Sequence, residues 1–305
     1  MNRILITGAL GQLGIEFIKY FTKSNIFVLA TDIRECKNEI PCEFIQCDVL
    51  EKNKLNQLVK SYKIDTIFHL VAMLSAKAEK HPFKSWKLNI DSFQNIIEVC
   101  VDNEIKKVFW PSSIAVFGTD SKLGCVPQNP ILNPSTIYGI TKLAGEKLLE
   151  YSNKKFNIDI RSIRYPGIIS MSTKPGGGTT DYVIEMMDSA INKSKYVCFL
   201  SKNTELPMMY IDDAVSSAIQ LMRADKSKLS VKDSYNVAGF SITPEILKTQ
   251  ILKNGFKIDV EFKPDFRQEI ANTWPKKIDD SKAKRDWGWS AQLGLEETVK
   301  KSLKF

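Results

Sequence analysis

Three residues of this chain have the types and the spacing needed to move a proton. Tyr138 and Lys142 stand four positions apart, and Ser113 lies 25 positions before the tyrosine. On a helix this spacing places a phenol and an ammonium on one face, where the cation lowers the pKa of the phenol. A tyrosine that serves as a base near neutral pH needs its pKa lowered from ~10 by about 3 units, so the lysine must outweigh burial. An ordinary amphipathic helix, with a buried tyrosine and a solvated lysine, has the same spacing.

A second candidate site begins at the N-terminus. Arg3–Thr7 is an apolar run typical of a buried parallel strand, and an apolar-periodic helix follows a few residues later. The connecting loop has the pattern Gly-x-x-Gly-x-x-Gly. Glycines let the backbone approach a pyrophosphate closely, and a helix N-terminus supplies N–H donors and a positive dipole. A plain glycine turn is the alternative. We expect a dinucleotide to be bound here by Gly8, Gly11, Gln12, Leu13 and Gly14.

Asp32 completes this pattern at the end of the second predicted strand, 18 positions after Gly14. A carboxylate at that point accepts both ribose hydroxyls of an adenosine and repels a 2′-phosphate. Arg34 lies close enough to weaken the preference. A glycine loop between a strand and a helix, followed by an acid at the next strand end, is far more specific than the glycines alone. The predicted cofactor is therefore NAD.

Strand-like and helix-like segments alternate from residue 2 to about residue 165. This alternation predicts an α/β fold, a Rossmann-type doubly wound parallel sheet with a smaller C-terminal substrate lobe. Residues 1–165, with 207–240 returning to them, form the predicted NAD-binding domain, and 166–206 and 241–305 form the lobe. The predicted strands are 3–7, 26–31, 43–47, 65–71, 106–111, 158–164 and 258–262. The predicted helices are 12–23, 51–62, 84–103, 135–155, 210–223, 243–254 and 295–303.

Ligands in an open parallel sheet bind at the carboxyl ends of the strands. Asp32, Leu70 and Ser113 lie at such ends, and Tyr138 enters the same region from the next helix. Asp48 either contacts the adenine or caps the helix after it. Besides the glycine loop, the predicted cofactor contacts are Asp32, Arg34, Asp48, Val49, Leu70, Ala72, Asn89, Tyr138, Lys142, Tyr165, Gly167 and Ile168.

A glycine-rich segment, Pro175-Gly-Gly-Gly-Thr-Thr-Asp181, follows the sixth predicted strand. One interpretation is a flexible loop in which Thr180 or Asp181 caps a helix through about Ile191. The other is a lid in which threonine hydroxyls bind a carboxylate and Asp181 binds an ammonium. The residue types of the loop favour neither interpretation.

Composition narrows the class of protein. The chain has 305 residues, 43% of them apolar, and a formal charge of +8 from lysines scattered singly and in pairs. That pattern indicates a lysine-rich surface rather than a nucleic-acid site. The only histidines, His69 and His81, lack the spacing of metal ligands, so we expect no metal. The longest apolar stretch, 67–74, is too short to span a membrane, and we expect a cytoplasmic protein.

Together these motifs resemble the extended short-chain dehydrogenase/reductase superfamily, also described as NAD-dependent epimerases and dehydratases. Within it the chain is similar to the NAD-dependent L-threonine 3-dehydrogenases. The similarity runs from end to end, and the glycine-threonine loop is more specific than the superfamily motifs. The segments that carry it are Met73–Lys80, Phe109–Gly118, Asn133–Lys142, Arg161–Gly167, Pro175–Tyr182, Leu206–Tyr210, Pro264–Gln268 and Trp274-Pro.

The resemblance implies oxidation of the 3-hydroxyl of L-threonine to 2-amino-3-oxobutyrate, with hydride transfer to NAD. Tyr138 would be the base, Ser113 would orient the hydroxyl, and Lys142 would keep the tyrosine acidic and hold the nicotinamide ribose. It also implies a homodimer that pairs through the Tyr138 helix and helix 84–103. The implied substrate contacts are Ser75, Ser113, Tyr138, Thr179, Thr180 and Asp181.

Two alternatives remain at this point. A sugar-nucleotide epimerase of the same superfamily shares the serine, tyrosine and lysine but needs a pocket for a nucleoside diphosphate. A dehydratase is disfavoured because Ile114 and Ala115 follow Ser113 where that branch carries acids. The alternative from another class is a non-catalytic NAD-binding regulatory protein, against which the intact Ser113, Tyr138 and Lys142 argue.

Overall fold

The protein, described here by a computed structural model over residues 1–119 and 124–304, is built around a parallel sheet. Its strands are β1 (Arg3–Thr7), β2 (Phe27–Asp32), β3 (Glu43–Gln46), β4 (Thr66–His69), β5 (Lys107–Ser113), β6 (Asp159–Tyr165), β7 (Gly167–Ile169), β8 (Lys195–Cys198), β9 (Leu206–Tyr210), β10 (Ser234–Asn236), β11 (Phe240–Ile242) and β12 (Asp259–Phe262). Within the described residues, seven strands form the main sheet in the order β10-β6-β5-β4-β1-β2-β3, all paired in parallel. The predicted Rossmann-type fold is confirmed.

Helices cover both faces of this sheet. They are α1 (Gln12–Thr22), α2 (Lys52–Ser61), α3 (Ser75–Lys80), α4 (Pro82–Trp86), α5 (Ser92–Asp102), α6 (Ile137–Phe156), α7 (Tyr182–Ile191), α8 (Ile211–Arg223), α9 (Pro244–Lys253), α10 (Phe266–Ala271), α11 (Ser281–Trp287) and α12 (Leu295–Ser302). No helix in the described ranges is long and apolar enough to cross a membrane.

Alternating side chains of the buried strands separate two hydrophobic clusters. Ile4 and Ile6 of β1 pack with Phe17 of α1 on one face, whereas Leu5 packs on the opposite face. Successive side chains of a strand point to opposite faces, so a strand covered on both sides must be apolar throughout. The sheet is thus buried on both faces, and its strand order reverses beside β1, where ligands of such sheets bind.

The predicted helix 84–103 is wrong as a single α-helix. The chain forms α4, then a π-helical turn at Lys87–Asp91, and then α5. The wide turn surrounds Asn89, whose side chain accepts from Met73 N at 2.7 Å and donates to Met73 O at 3.3 Å. π-turns of this kind are often found at functional sites. Here the turn fastens the segment that follows β4.

The C-terminal half contributes to both the main sheet and smaller ones. β10 pairs with β6 at one edge of the main sheet. Elsewhere in the described residues, β7, β9 and β11 form a three-stranded sheet, and β8 pairs with β12. Of these strands only β12 matches a segment predicted from the sequence. β5 also runs two residues past its predicted end, so Ser113 is its last residue.

Candidate active site

A cavity of about 760 Å³ opens along the carboxyl edge of the main sheet. Its walls come from the ends of the central strands, the start of α6 and the glycine-rich segment before α7. Two of the predicted contacts, Asn89 and Thr179, do not line it. The predicted site residues that do are Gly8, Gly11, Gln12, Leu13, Gly14, Asp32, Arg34, Asp48, Val49, Leu70, Ala72, Ser75, Ser113, Tyr138, Lys142, Tyr165, Gly167, Ile168, Thr180 and Asp181.

The glycine loop leaves room for a pyrophosphate at the N-terminus of α1. Gly8 has a φ of 71°, a conformation that favours glycine. A Cβ on Gly14 would lie 2.5 Å from the carbonyl oxygen of Ala9. The N-cap residue Gly11 offers no side chain to the first N–H groups of α1, and the buried Gln12 Nε2 has no hydrogen-bond partner among the described residues. These free donors beside a helix N-terminus fit the phosphates of a dinucleotide.

Asp32 is the last residue of β2 and lies beside the glycine loop. Its Oδ2 accepts from Leu10 N at 3.0 Å, and the Arg34 side chain donates to both carboxylate oxygens at 2.9 and 3.0 Å. Burial raises the pKa of Asp32, but the hydrogen bonds from Arg34 and Leu10 outweigh burial, so the pKa is lowered. Arg34 is therefore a partner of Asp32 rather than a free cation for a 2′-phosphate.

Ser113, Tyr138 and Lys142 meet where β5 ends and α6 begins. Thr136 caps α6 by accepting from Gly139 N at 3.1 Å, which fixes the first turn that carries Tyr138. Lys142 lies one turn later. Its Nζ donates to the carbonyl oxygen of Pro111 at 2.6 Å and lies 5.7 Å from the ring centroid of Tyr138. The structure thus brings the predicted catalytic residues together.

Burial governs the electrostatics of this trio. It raises the pKa of Tyr138 to about 12, although a hydrogen bond with Ser113 acts in the opposite direction. It lowers the pKa of Lys142 to about 7, although Glu146 raises it. The expectation that Lys142 overcomes burial and makes Tyr138 acidic is therefore wrong for the protein's own residues alone. Removing both groups from water disfavours both charged forms, and the Lys142 ammonium is turned to Pro111 O.

The glycine-rich segment closes the other end of the cavity. Ser75, the first residue of α3, accepts from Thr179 N at 3.0 Å, and the two hydroxyls lie 3.0 Å apart although 104 positions separate them. At the other side of this segment, Ser172 donates to Glu16 of α1 at 2.7 Å. The segment 170–181 therefore spans from α1 to α3.

The side chain of Asp181 bonds the glycine-rich segment rather than the first turn of α7. Its Oδ2 accepts from Gly177 N and Gly178 N, both at 2.8 Å. It occupies the N-cap position of α7 but forms no side-chain cap bond. The predicted N-cap position of Asp181 is therefore confirmed, whereas the side-chain hydrogen bond expected of a cap is absent. Burial raises the pKa of Asp181, opposed by the loop amides and by Arg267.

Several predicted contacts have other partners. Asn89 is buried behind the cavity wall and also donates to Thr141 Oγ1 at 3.1 Å. Asp48 accepts from Leu50 N at 2.9 Å in a turn, and α2 begins only after Glu51. Tyr165 lines the cavity while its hydroxyl donates to Ala214 O at 2.6 Å.

Among the lining residues that the sequence did not predict, three bear on the chemistry of the cavity. Lys77 and Lys174 bring cations to the wall beside the glycine-rich segment, and Trp274 reaches it from the C-terminal half. Trp274 packs against the cluster that contains Tyr138. The Trp274-Pro pair was visible in the sequence, but nothing near it indicated which wall it would complete.

The sequence is similar to known proteins over most of its length. The sequence pattern of the NAD-dependent epimerase/dehydratase family matches residues 4–238. An uncharacterised epimerase/dehydratase of Staphylococcus haemolyticus is 42% identical over 302 residues, which are 97% of this chain and 94% of that protein. The chain belongs to the NAD-dependent epimerase/dehydratase family. As a member of this family it is an NAD-dependent oxidoreductase, and its cofactor is NAD.

Solved structures of the family include close neighbours. The holo form of a GalE-like L-threonine dehydrogenase from Cupriavidus necator is 39% identical, with a TM-score of 0.94 over 99% of each chain. A monomeric L-threonine 3-dehydrogenase from a metagenome is also 39% identical, with a TM-score of 0.94 over 99% of this chain and 97% of that one. A UDP-glucose 4-epimerase of Thermotoga maritima, with a TM-score of 0.88 over 99% and 97% of the two chains, is 19% identical and shows the shared fold alone.

Proposed function

We propose that this protein oxidises the 3-hydroxyl of L-threonine to 2-amino-3-oxobutyrate, with NAD as the hydride acceptor. The observation that carries the proposal is a single cavity lined by Ser113, Tyr138 and Lys142 and also by Ser75 and Asp181. The L-threonine dehydrogenases described above support it, since each is 39% identical over nearly the whole chain.

In this proposal Tyr138 takes the proton of the 3-hydroxyl, and Ser113 hydrogen bonds the same oxygen and orients it. Because burial raises the pKa of Tyr138 to about 12, the phenolate must be stabilised by positive charge within the cavity. Lys142 supplies such a charge one helical turn away. Bound NAD supplies the hydride acceptor and, when oxidised, a further positive charge.

The opposite wall suits an amino acid. Threonine at neutral pH carries an ammonium and a carboxylate, so its site needs groups of both signs. Asp181 offers the negative charge, and the hydroxyls of Ser75 and Thr180, with Lys77 and Lys174, offer donors to the carboxylate. A nucleoside diphosphate lacks the ammonium and would be repelled by Asp181, which disfavours the sugar-nucleotide epimerase.

The test is NADH formation by purified protein with NAD and L-threonine, followed by absorbance. We expect steady turnover with L-threonine and neither NADH nor epimerised product with UDP-sugars. Tyr138→Phe should lower turnover at least ~100-fold with an unchanged melting temperature, since it removes only the proton acceptor. Epimerisation of a UDP-sugar would support the epimerase instead, and NAD binding without turnover of any substrate would support the regulatory protein.

We further propose that two copies pair through α4, α5 and α6. Of the twelve large apolar side chains that are exposed in the described residues, six lie on these helices. Phe83 and Trp86 of α4 are 90% and 43% exposed, and Ile140 of α6 is 39% exposed. Exposed apolar side chains concentrated on one set of packed helices are typical of a protein–protein interface.

A further inference from the structure

Three consecutive residues of β5 each bond a different side chain of α6. Pro111 O accepts from Lys142 Nζ at 2.6 Å, Ser112 Oγ donates to Glu146 Oε1 at 2.5 Å, and Ser113 hydrogen bonds Tyr138. Residues 138, 142 and 146 are successive turns of one helix face. Tyr138 and Lys142 belong to the proposed mechanism, whereas Glu146 has no role in it so far.

Glu146 is a fully buried acid with a fixed position. Its side chain is 0% exposed, and Arg164, 1% exposed, donates to Oε1 at 2.9 Å and to Oε2 at 2.8 Å. Arg164 also bonds Asp233 Oδ2 at 3.1 Å. A buried carboxylate is costly unless it is paired, and this two-pronged pair with a guanidinium both pays for its burial and sets its orientation.

Within the described residues, the charged and polar groups named here around Lys142 come from α6, β4 and β5. α6 contributes Tyr138 and Glu146. β4 contributes His69, which burial keeps neutral by lowering its pKa to about 3. β5 contributes Pro111 O and the ring of Trp110, whose centroid lies 4.5 Å from Lys142 Nζ. Glu146 is the carboxylate whose charge opposes the effect of burial on Lys142.

We infer that Glu146, held by Ser112 and Arg164, is a positioning residue that keeps Lys142 in its ammonium form beside Tyr138. The inference rests on the proposed function, because that mechanism needs a charged Lys142 to stabilise the tyrosine phenolate. Glu146 touches neither substrate nor cofactor in this role. It acts through Lys142 alone.

The sign of the expected effect follows from burial. Lys142 loses its charge as pH rises through its pKa, so kcat/KM should decline on the alkaline side. Glu146→Gln removes the negative charge and leaves burial unopposed, so the pKa of Lys142 falls further. An opposite charge nearby shifts a pKa by roughly 1–3 units, so the alkaline decline should move down by about 1 pH unit or more.

The experiment compares kcat/KM for L-threonine against pH in the wild type, Glu146→Gln and Asp233→Asn. Asp233 is the matched control, because it is the second carboxylate on Arg164 but lies outside α6. We expect the alkaline limb to move in Glu146→Gln and to stay in Asp233→Asn. If kcat/KM of Glu146→Gln were lower by the same factor at every pH, with the alkaline decline at its wild-type position, Glu146 would have only a structural role. That result would overturn the inference.

Two additions keep the test decisive. If Glu146→Gln does not fold, Glu146→Gln/Arg164→Met removes both buried charges, a change that proteins often tolerate, and its limb must also move. NADH affinity against pH, measured by fluorescence, reports the charge of Lys142 without any turnover. A wild type inactive on L-threonine contradicts the proposed function, whereas identical pH profiles of NADH binding in the wild type and Glu146→Gln contradict this inference.

Discussion

Asp181 holds its own loop together with one carboxylate oxygen. Both loop N–H groups converge on Oδ2. Gly177 has a φ of 90°, which favours glycine, and a Cβ on Gly178 would lie 3.0 Å from Oδ1, a tight contact. Burial raises the pKa of Asp181, which means that its anionic form gains from any cation brought into the cavity. The ammonium of an amino acid is such a cation.

Replacing Asp181 separates these two roles. Asp181→Asn keeps an oxygen that can accept from the loop, whereas Asp181→Ala keeps neither the oxygen nor the charge. If Asp181 binds the substrate ammonium, both variants should raise KM for L-threonine about 10- to 100-fold, the worth of a hydrogen bond to a charged group, with little change in KM for NAD. Steady-state kinetics with each substrate varied measures both constants.

If KM for L-threonine were normal in Asp181→Asn and raised in Asp181→Ala, Asp181 would stabilise the loop without binding the substrate. Near-equal changes in both Michaelis constants would also remove the substrate contact.

Residue types and spacing predicted which side chains meet at this site, because strand ends and helix turns have fixed geometry. They did not predict the protonation of Tyr138 and Lys142. Burial dominates both pKa values, and that of Lys142 also depends on Glu146, which Arg164 of β6 holds in place. Local sequence carries no measure of desolvation, so it did not show that burial raises the pKa of Tyr138.

The approach of α6 to β5 is set by glycines. A Cβ on Gly145 would lie 2.4 Å from the Trp110 ring, and one on Gly139 would lie 2.3 Å from the carbonyl oxygen of Ala115. Trp110 cannot easily withdraw, because it is stacked on Phe93 at 4.7 Å between centroids. The separation between Ser113 and Tyr138 therefore depends on residues that do no chemistry.

Gly145→Val should push α6 away from β5. We expect it to lower the free energy of unfolding by about 1–3 kcal/mol, the usual cost of overpacking a core, and to lower turnover as Tyr138 moves from Ser113. Urea unfolding measures the first effect and NADH formation the second.

Lys147→Val places the same β-branched residue at an exposed position of α6 and is the control. Equal losses in the two variants would trace the effect to helix propensity rather than to the contact with Trp110.

The sequence predicted the long helices and strands, whose hydrophobic residues repeat with a clear period. It did not predict the short elements that form only through contacts with other segments. The π-turn at Lys87–Asp91 contains Asn89, which hydrogen bonds the backbone of Met73, 16 positions earlier, and the helical period does not show such a contact. β7 and β11 have three residues each, too few to show an alternation. Their position depends on pairing with β9.

At the scale of the whole molecule, the exposed apolar side chains of α4, α5 and α6 bear on whether two copies pair. A dimer with a specific interface buries roughly 1,200–2,000 Å². A neighbour with the same fold is monomeric, so the fold alone does not impose pairing.

Phe83→Asp should convert a dimer to a monomer, because it places a charge at the most exposed apolar side chain of this surface. Sedimentation velocity measures the change, and Ile131→Asp is the control, since Ile131 is 78% exposed and is not part of these helices. A wild type that sediments as a monomer would contradict the proposed pairing.

The segment 170–181 is hydrogen bonded to α1 through Ser172 and Glu16, and to α3 through Thr179 and Ser75. It therefore connects the helix that follows the glycine loop to the helix that begins at Ser75. We expect NAD or the proposed substrate to order this segment on binding, so that the second ligand to bind loses less conformational entropy. Affinity for either molecule should rise when the other is present, and by the same factor in both directions.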